Sequence, residues 1–210
     1  MKYLIPIFLL IACGKPNSDT QAALRCGENT STVGKEITGP RLIVFGDSIS
    51  ERSGFAELLG AELGLDVWNV AVGGSDLSCQ ITKIEAFEYV EGDNVLFLVG
   101  HNDARLGRSV EDVGVYMQRA LTKWDGLDVI LGTTMKMLSD QYARHTPHDK
   151  ASDASIEEYR DYLLSLGSGS VVVVNVTDAW VPYEANYLSD RVHPNSVGAE
   201  LLFQIFMEGI

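Results

Sequence analysis

Arg41-Leu42-Ile43-Val44-Phe45-Gly46-Asp47-Ser48-Ile49-Ser50 is the stretch on which the fold turns. A short apolar, branched run stops at a glycine, the pattern of a buried strand. Asp47 and Ser48 follow at once, and both are residue types that make turns and cap helices. The stretch therefore reads as a strand, a tight turn and the start of a helix.

The same phrasing recurs along the chain. Residues 66–72 form a second strand pattern ending at Gly73-Gly74, and residues 94–99 a third ending at Gly100. Residues 128–133 and 171–176 supply a fourth and a fifth. The fifth contains four consecutive valines, which suit a sheet buried on both faces. Helical spacing predicts Phe55–Leu63 as a helix with Phe55, Leu58, Leu59 and Leu63 on one face. Further helices are predicted at 81–89, 110–124, 156–166 and 196–207. Strands alternating with helices imply a three-layer α/β/α sandwich around a five-stranded parallel sheet with right-handed crossovers. Ligands in such folds sit beyond the carboxyl ends of the strands. Gly46-Asp47-Ser48, Gly73-Gly74-Ser75 and Gly100-His101-Asn102-Asp103 each follow a predicted strand directly, so all three fall on one sheet edge.

Bulk properties narrow the function. The chain of 210 residues is 46% hydrophobic and 21% charged, which suits one ordinary globular domain. A formal charge of −13 excludes a nucleic-acid partner, because phosphate binding needs clustered Lys and Arg. It equally disfavours docking on an anionic membrane through a basic face. The N-terminus is Met1-Lys2-Tyr3 followed by an apolar run from Leu4 to Ile11, too short to span a bilayer. It reads as a secretion signal over residues 1–12. Leu10-Ile11-Ala12-Cys13-Gly14 resembles a bacterial lipobox, which makes Cys13 the lipidated N-terminus of an exported, envelope-anchored protein. The alternative is a plain signal peptide with an incidental Cys. Residues 13–36 are then a tether, and 37–210 the folded domain. Cys26 and Cys79 remain, an even pair that suggests a disulfide in an exported chain; two free thiols are the alternative.

The motifs together resemble the SGNH/GDSL hydrolase family. Gly46-Asp47-Ser48-Ile49-Ser50 resembles its Gly-Asp-Ser(-Leu) block, with Ile49 in place of the usual Leu. Asn69-Val70-Ala71-Val72-Gly73-Gly74 resembles the second block and Gly100-His101-Asn102-Asp103 the third. Asp190-Arg191-Val192-His193-Pro194 resembles the Asp-x-x-His block, continued by Asn195 and Gly198. Each motif is weak alone, but four in order over residues 46–198 make a strong joint signal. The resemblance implies the flavodoxin-like SGNH topology and an esterase. It assigns Ser48 as nucleophile, His193 as base and Asp190 as its orienting acid. It assigns the backbone N–H groups of Ser48 and Gly74, with Gly73 the alternative, and the Asn102 amide to the oxyanion hole.

Those residue types are what the chemistry requires. A serine hydroxyl attacks well only when a base takes its proton, and imidazole does so near neutral pH. A carboxylate three residues before the histidine can fix the other ring nitrogen. Donors aimed at the developing oxyanion stabilise the tetrahedral intermediate. Asp47 and Asp103 read as loop organisers, and Trp180, Pro182 and Tyr183 as a pocket wall or edge packing. His145, His148 and Asp149 read as a solvated loop rather than a metal site, and no cofactor is implied. The expected partner is a small-molecule or glycan ester, with membrane contact through the lipid anchor alone. Two rivals are an O-acyltransferase of cell-envelope glycans using the same triad, and a non-catalytic glycan- or lipid-binding lipoprotein.

Overall fold

A computed structural model of the chain describes residues 35–37, 39–142 and 149–210. The predicted signal segment 1–12, Cys13 and Cys26 lie outside the described residues, as do His145 and His148. Strands β1 (Arg41–Gly46), β2 (Asp66–Asn69), β3 (Asn94–Leu98), β4 (Asp128–Gly132) and β5 (Val171–Val174) form one parallel sheet. Its order is β2-β1-β3-β4-β5, so the strand sequence reverses direction between β1 and β3. The carboxyl ends on either side of that switch border the crevice where this class of sheet binds ligands.

The helices are α1 (Ser48–Arg52), α2 (Phe55–Leu63), α3 (Leu77–Ala86), α4 (His101–Leu106), α5 (Val110–Lys123), α6 (Asp153–Leu164), α7 (Val176–Ala179) and α8 (Ser196–Gly209). Strand periodicity of two divides the core. Ile43, Phe45, Val95, Phe97, Val129 and Leu131 pack against α3, α5 and α6. Leu42, Val44, Leu96 and Leu98 point the other way, onto α2 and α8. There Phe55 and Phe206 stack with ring centroids 5.2 Å apart. Both faces being covered is why β1 and β3 read as continuous apolar runs.

Several boundaries differ from the sequence reading, each for a visible reason. The predicted second strand stops at Asn69, where residues 70–73 turn over the end of β1. Helix α3 starts at Leu77, four residues earlier than predicted, because the Asp76 side chain caps it by accepting from Cys79 N. The buried stripe of α2 is Phe55, Ala56, Leu59 and Gly60, leaving Leu58 and Leu63 more than a third exposed. Strand β5 lies at the sheet's edge, and Val172 is 39% exposed, so its valines are not covered on both faces. The opposite edge, β2, carries Lys35, whose Nζ donates to Val67 O and to Asp66 Oδ1, each at 2.7 Å.

At the amino end of the sheet, Arg41 is buried among apolar groups. Its Nε donates to Asp93 Oδ1 at 2.8 Å, and its guanidinium lies over the Trp68 ring at 4.6 Å. Asp93 also accepts from Val90 N. Removing one partner of a buried pair strands the other charge in low dielectric. Arg41→Ala is therefore expected to destabilise the fold by about 3–5 kcal/mol in urea denaturation. Joint replacement by Arg41→Met and Asp93→Leu should recover most of that loss. Equal losses in the single and double variants would show that the pair's charge is not what matters.

Candidate active site

The site is built on the carboxyl ends of β1, β2 and β3. Gly46 closes β1 with φ +148°, and an added Cβ there would come within 2.4 Å of Ser50 Oγ and 2.6 Å of Leu98 O. Its carbonyl accepts from Val72 N (2.9 Å) and Gln80 Nε2 (2.6 Å), and its N–H donates to Gln80 Oε1 (3.3 Å). Ser75 Oγ accepts from Gln80 Nε2 and donates to Val72 O at 2.6 Å. The turn after β1 and the loop after β2 are thus tied to one residue. Asp47 then caps α1 by accepting from Ile49 N at 2.9 Å, which leaves Ser48 as the first helical residue.

Gly74 sits exposed in the second loop with φ +76°, the left-handed region that suits glycine. The alternative, Gly73, is more enclosed: a Cβ on it would meet Glu51 Oε2 and Arg52 Nη2 within 3 Å. No acceptor among the described residues takes the backbone N–H of Ser48 or of Gly74. Asn102, in the first turn of α4, donates from Nδ2 to Ser75 O at 2.8 Å and approaches Asp47 Oδ2 at 3.4 Å. The second distance is beyond a normal N–H···O bond. One amide N–H of Asn102 is therefore held weakly.

Asp190 and His193 come from the loop before α8. Asp190 Oδ1 accepts from the backbone N–H groups of Val192 and His193, each at 3.0 Å, and Oδ2 meets His193 Nδ1 at 2.7 Å. Burial opposes the ionised Asp190, but the His193 ring and the two amides outweigh it and hold the carboxyl below its ordinary range. His193 Nε2 is buried and has no hydrogen-bond partner. No hydrogen bond joins it to Ser48 Oγ. His193 is nonetheless close enough to act electrostatically on Asp47 and His101, the residues preceding Ser48 and Asn102. Ser48, Gly74 and Asn102 thus follow the carboxyl ends of β1, β2 and β3, and the electrostatic reach of His193 to Asp47 and His101 sets the Asp190–His193 pair toward that edge.

Two carboxyls lie deeper. Burial pushes Asp47 up to about 6, against the Ile49 amide and the electrostatic pull of His193 and Arg105. Burial, reinforced by Asp76, pushes Asp103 up to about 7, although Leu77 N donates to it and Arg108 is near. Asp103 joins the third block to the start of α3, while Arg108 pairs with both Asp103 and Asp76. His101 is pushed down to about 3 by burial and by Arg105 and His193, so its ring is neutral. Neither of its ring nitrogens makes a well-formed hydrogen bond, the Met135 backbone giving weak support. Trp180, expected as pocket wall or packing, is a buried core residue whose Nε1 donates to Tyr187 Oη at 2.9 Å. Among the described residues no cluster of three His, Cys, Asp or Glu is placed to hold a metal ion.

Sequence reasoning passed over Gln80 and Arg191. Gln80 lies one turn into a helix after Gly-Gly-Ser-Asp, a weak signal for an amide reaching back to a strand end. Arg191 has φ +62°, the sole positive φ at a non-glycine among the described residues. An L-residue there costs about 1–2 kcal/mol, and no residue-type signal marks it.

Five parallel strands in the order β2-β1-β3-β4-β5, with helices on both faces, make an α/β fold of SGNH architecture. The chain belongs to the GDSL-like lipase/acylhydrolase family, whose pattern matches residues 44–201. Solved structures share the fold. A Streptococcus pneumonia protein provisionally described as a platelet activating factor is 17% identical, with TM-score 0.70 over 90% of this chain and 89% of that one. A lipase/acylhydrolase from Enterococcus faecalis is 18% identical, with TM-score 0.64 over 81% and 94%. A Clostridium thermocellum family 3 carbohydrate esterase is 13% identical, with TM-score 0.60 over 81% and 94%. No curated protein matches the chain.

The buried carboxyls make stability depend on pH in a definite direction. A carboxyl whose folded pKa lies above its unfolded value of about 3.8 binds its proton more tightly when folded. Stability should therefore fall as pH rises from about 4 to about 7. Asp76 and Asp190 are held low and act with opposite sign below that window. His101, pushed down to about 3, opposes the two carboxyls within it and offsets one of them, so the net fall is that of a single group over most of the range. Urea midpoints across this range should decline less in Asp103→Asn than in the parent. An unchanged decline would place the titrating group elsewhere.

Proposed function

We propose that the chain hydrolyses a carboxylic ester through an acyl-enzyme on Ser48. Ser48 Oγ bonds to the ester carbonyl carbon while His193 Nε2 takes the hydroxyl proton. The intermediate collapses with loss of the alcohol, which receives that proton. Water then adds to the acyl-enzyme through the same base, releasing the acid and free Ser48. Asp190 fixes the His193 tautomer from Nδ1 and stabilises the imidazolium that forms. The oxyanion is received by the N–H groups of Ser48 and Gly74 and by Asn102 Nδ2, which gives up its long contact with Asp47. The observation that carries this reading is the His193 ring. Its Nδ1 is committed to Asp190 and its Nε2 is unpartnered, on the edge that holds Ser48. The scheme uses no cofactor. The substrate is a small-molecule or glycan ester, and likeness to a carbohydrate esterase supports sugar esters as the first class to test.

Ser48→Ala and His193→Ala should each lower turnover by roughly 10⁶ while leaving the fold intact. A fluorophosphonate probe should label the parent and not Ser48→Ala. Asn102→Ala should lower kcat by roughly 10²–10³ with KM little changed. Most activity surviving in Ser48→Ala or His193→Ala would defeat the mechanism, and a KM effect alone would make Asn102 a substrate-binding group. Acyl transfer to an added sugar in preference to water would favour the acyltransferase.

The proposal extends to location. Segment 1–12 is removed on export and Cys13 becomes the lipidated N-terminus at the bacterial cell envelope, a reading supported by Leu10-Ile11-Ala12-Cys13-Gly14. We further propose that Cys26 and Cys79, the even pair left once Cys13 is lipidated, form a disulfide, a reading supported by the cysteine count of an exported chain. Mass spectrometry of protein from membranes should find an acylated Cys13 as the first residue, and Cys13→Ala should remain unprocessed or soluble. An unmodified N-terminus elsewhere would overturn the anchor.

A further inference from the structure

The Asp190–His193 turn has an anchor that the chemistry above does not use. Arg191 stands between the two residues with a left-handed backbone, φ +62°. Its Nη1 donates to Asp140 Oδ2 at 2.9 Å and its Nη2 to Glu184 Oε1 at 2.6 Å. Asp140 belongs to a short 3₁₀ segment, Ser139–Gln141, beyond β4, and Glu184 opens another, Glu184–Asn186. The guanidinium therefore ties the turn to two other loops, one of them 51 residues away. The turn itself is closed by Leu188 N→His193 O at 2.8 Å and Arg191 N→Leu188 O at 2.9 Å.

We propose that Arg191 is a positioning residue, whose bridge from Asp140 to Glu184 holds the turn in the left-handed form that aims Asp190 and His193. The proposal rests on the Ser48–His193–Asp190 reading. The link is geometric. The peptide units on either side of Arg191 set the direction of the Val192 N–H, one of the two amides that hold Asp190 Oδ1. If residue 191 relaxes to a right-handed conformation, that amide swings away and the carboxylate is free to turn under the His193 ring. Arginine suits the task because its planar fork can serve two carboxylates at once, whereas an ammonium acts as a compact point charge. Both arms of the fork are occupied by protein carboxylates, which argues against a role in holding an anionic substrate.

Glycine removes the bridge and leaves residue 191 free to sample both hands of φ about equally, so nothing then holds the turn in its left-handed form. Arg191→Gly should lower kcat by roughly 10- to 100-fold with KM within about twofold, the scale expected when a catalytic group is displaced by about an ångström. Arg191→Lys should recover part of the loss. The double variant Asp140→Asn, Glu184→Gln leaves Arg191 in place and should show the same kcat defect, with no further loss when Arg191→Gly is added. It also serves if Arg191→Gly folds poorly by circular dichroism. Wild-type kcat in either folded variant, or a rise in KM with kcat held, overturns the proposal. Ser48→Ala assayed alongside separates the two readings. Activity surviving there rejects the triad itself, whereas an inactive Ser48→Ala beside a fully active Arg191→Gly rejects the bridge alone.

Discussion

At Gly46 three separate stretches of chain meet on one residue. The carbonyl accepts from Val72 and Gln80, the N–H donates to the Gln80 amide, and the missing Cβ leaves space that Ser50 and Leu98 crowd. Everything at the candidate site follows from that junction. The residue after Asp47 must begin a helix, the loop carrying Gly74 must pass close by, and Ser75 must lie where Asn102 can reach its carbonyl. Strand order supplies the rest, because β1 and β3 are neighbours in the sheet although β2 comes between them in sequence. Topology brings Asn102 to within 3.4 Å of Asp47, the residue before Ser48, and a hydrogen bond to Ser75 O holds it there.

The electrostatics divide the aspartates by depth. Asp190 is half-exposed and shares its charge with His193 and two amides, which suits a group that must stay ionised while it steadies an imidazolium. Asp47 and Asp103 are fully enclosed and pushed upward by burial, which suits groups that hold loops together rather than react. Asp76 lies between them in character: buried in part, yet held low by Ser78, Arg108 and the Cys79 amide. The strongly negative formal charge of the chain is therefore mostly surface, and the part near the site is partnered.

How much of this was legible in the sequence varies with the kind of force involved. The strand–turn–helix at residues 41–52 was readable because apolar runs and Gly-Asp-Ser turns are local signals. Helix α2 was found to the residue, but its buried face was misjudged because Ala56 and Gly60 pack closely where Leu58 and Leu63 were expected. The valines of β5 gave the strand and not its place at an edge, since neighbours across a sheet are chosen by topology. Ser48, Gly74, Asn102, Asp190 and His193 are candidates drawn from family motifs, and the structure adds the contact of Asp190 with His193 and the carboxyl-end positions of the other three. Arg41, Gln80 and Arg191 were not legible, because each acts through a partner at least 7 residues away. Nothing in single-residue type announces that an arginine is buried or that another has a left-handed backbone.

Lys35 on the flank of β2 has a consequence for how the molecule behaves among its own copies. A parallel sheet of five strands has two open sides, and each is a template for another chain's backbone. Here both bordering strands are four residues long, and on one of them an ammonium group occupies the Val67 carbonyl that an incoming strand would use. Brevity on both flanks and a charge on one discourage sheet-to-sheet growth at high local concentration, such as crowding on a surface would impose.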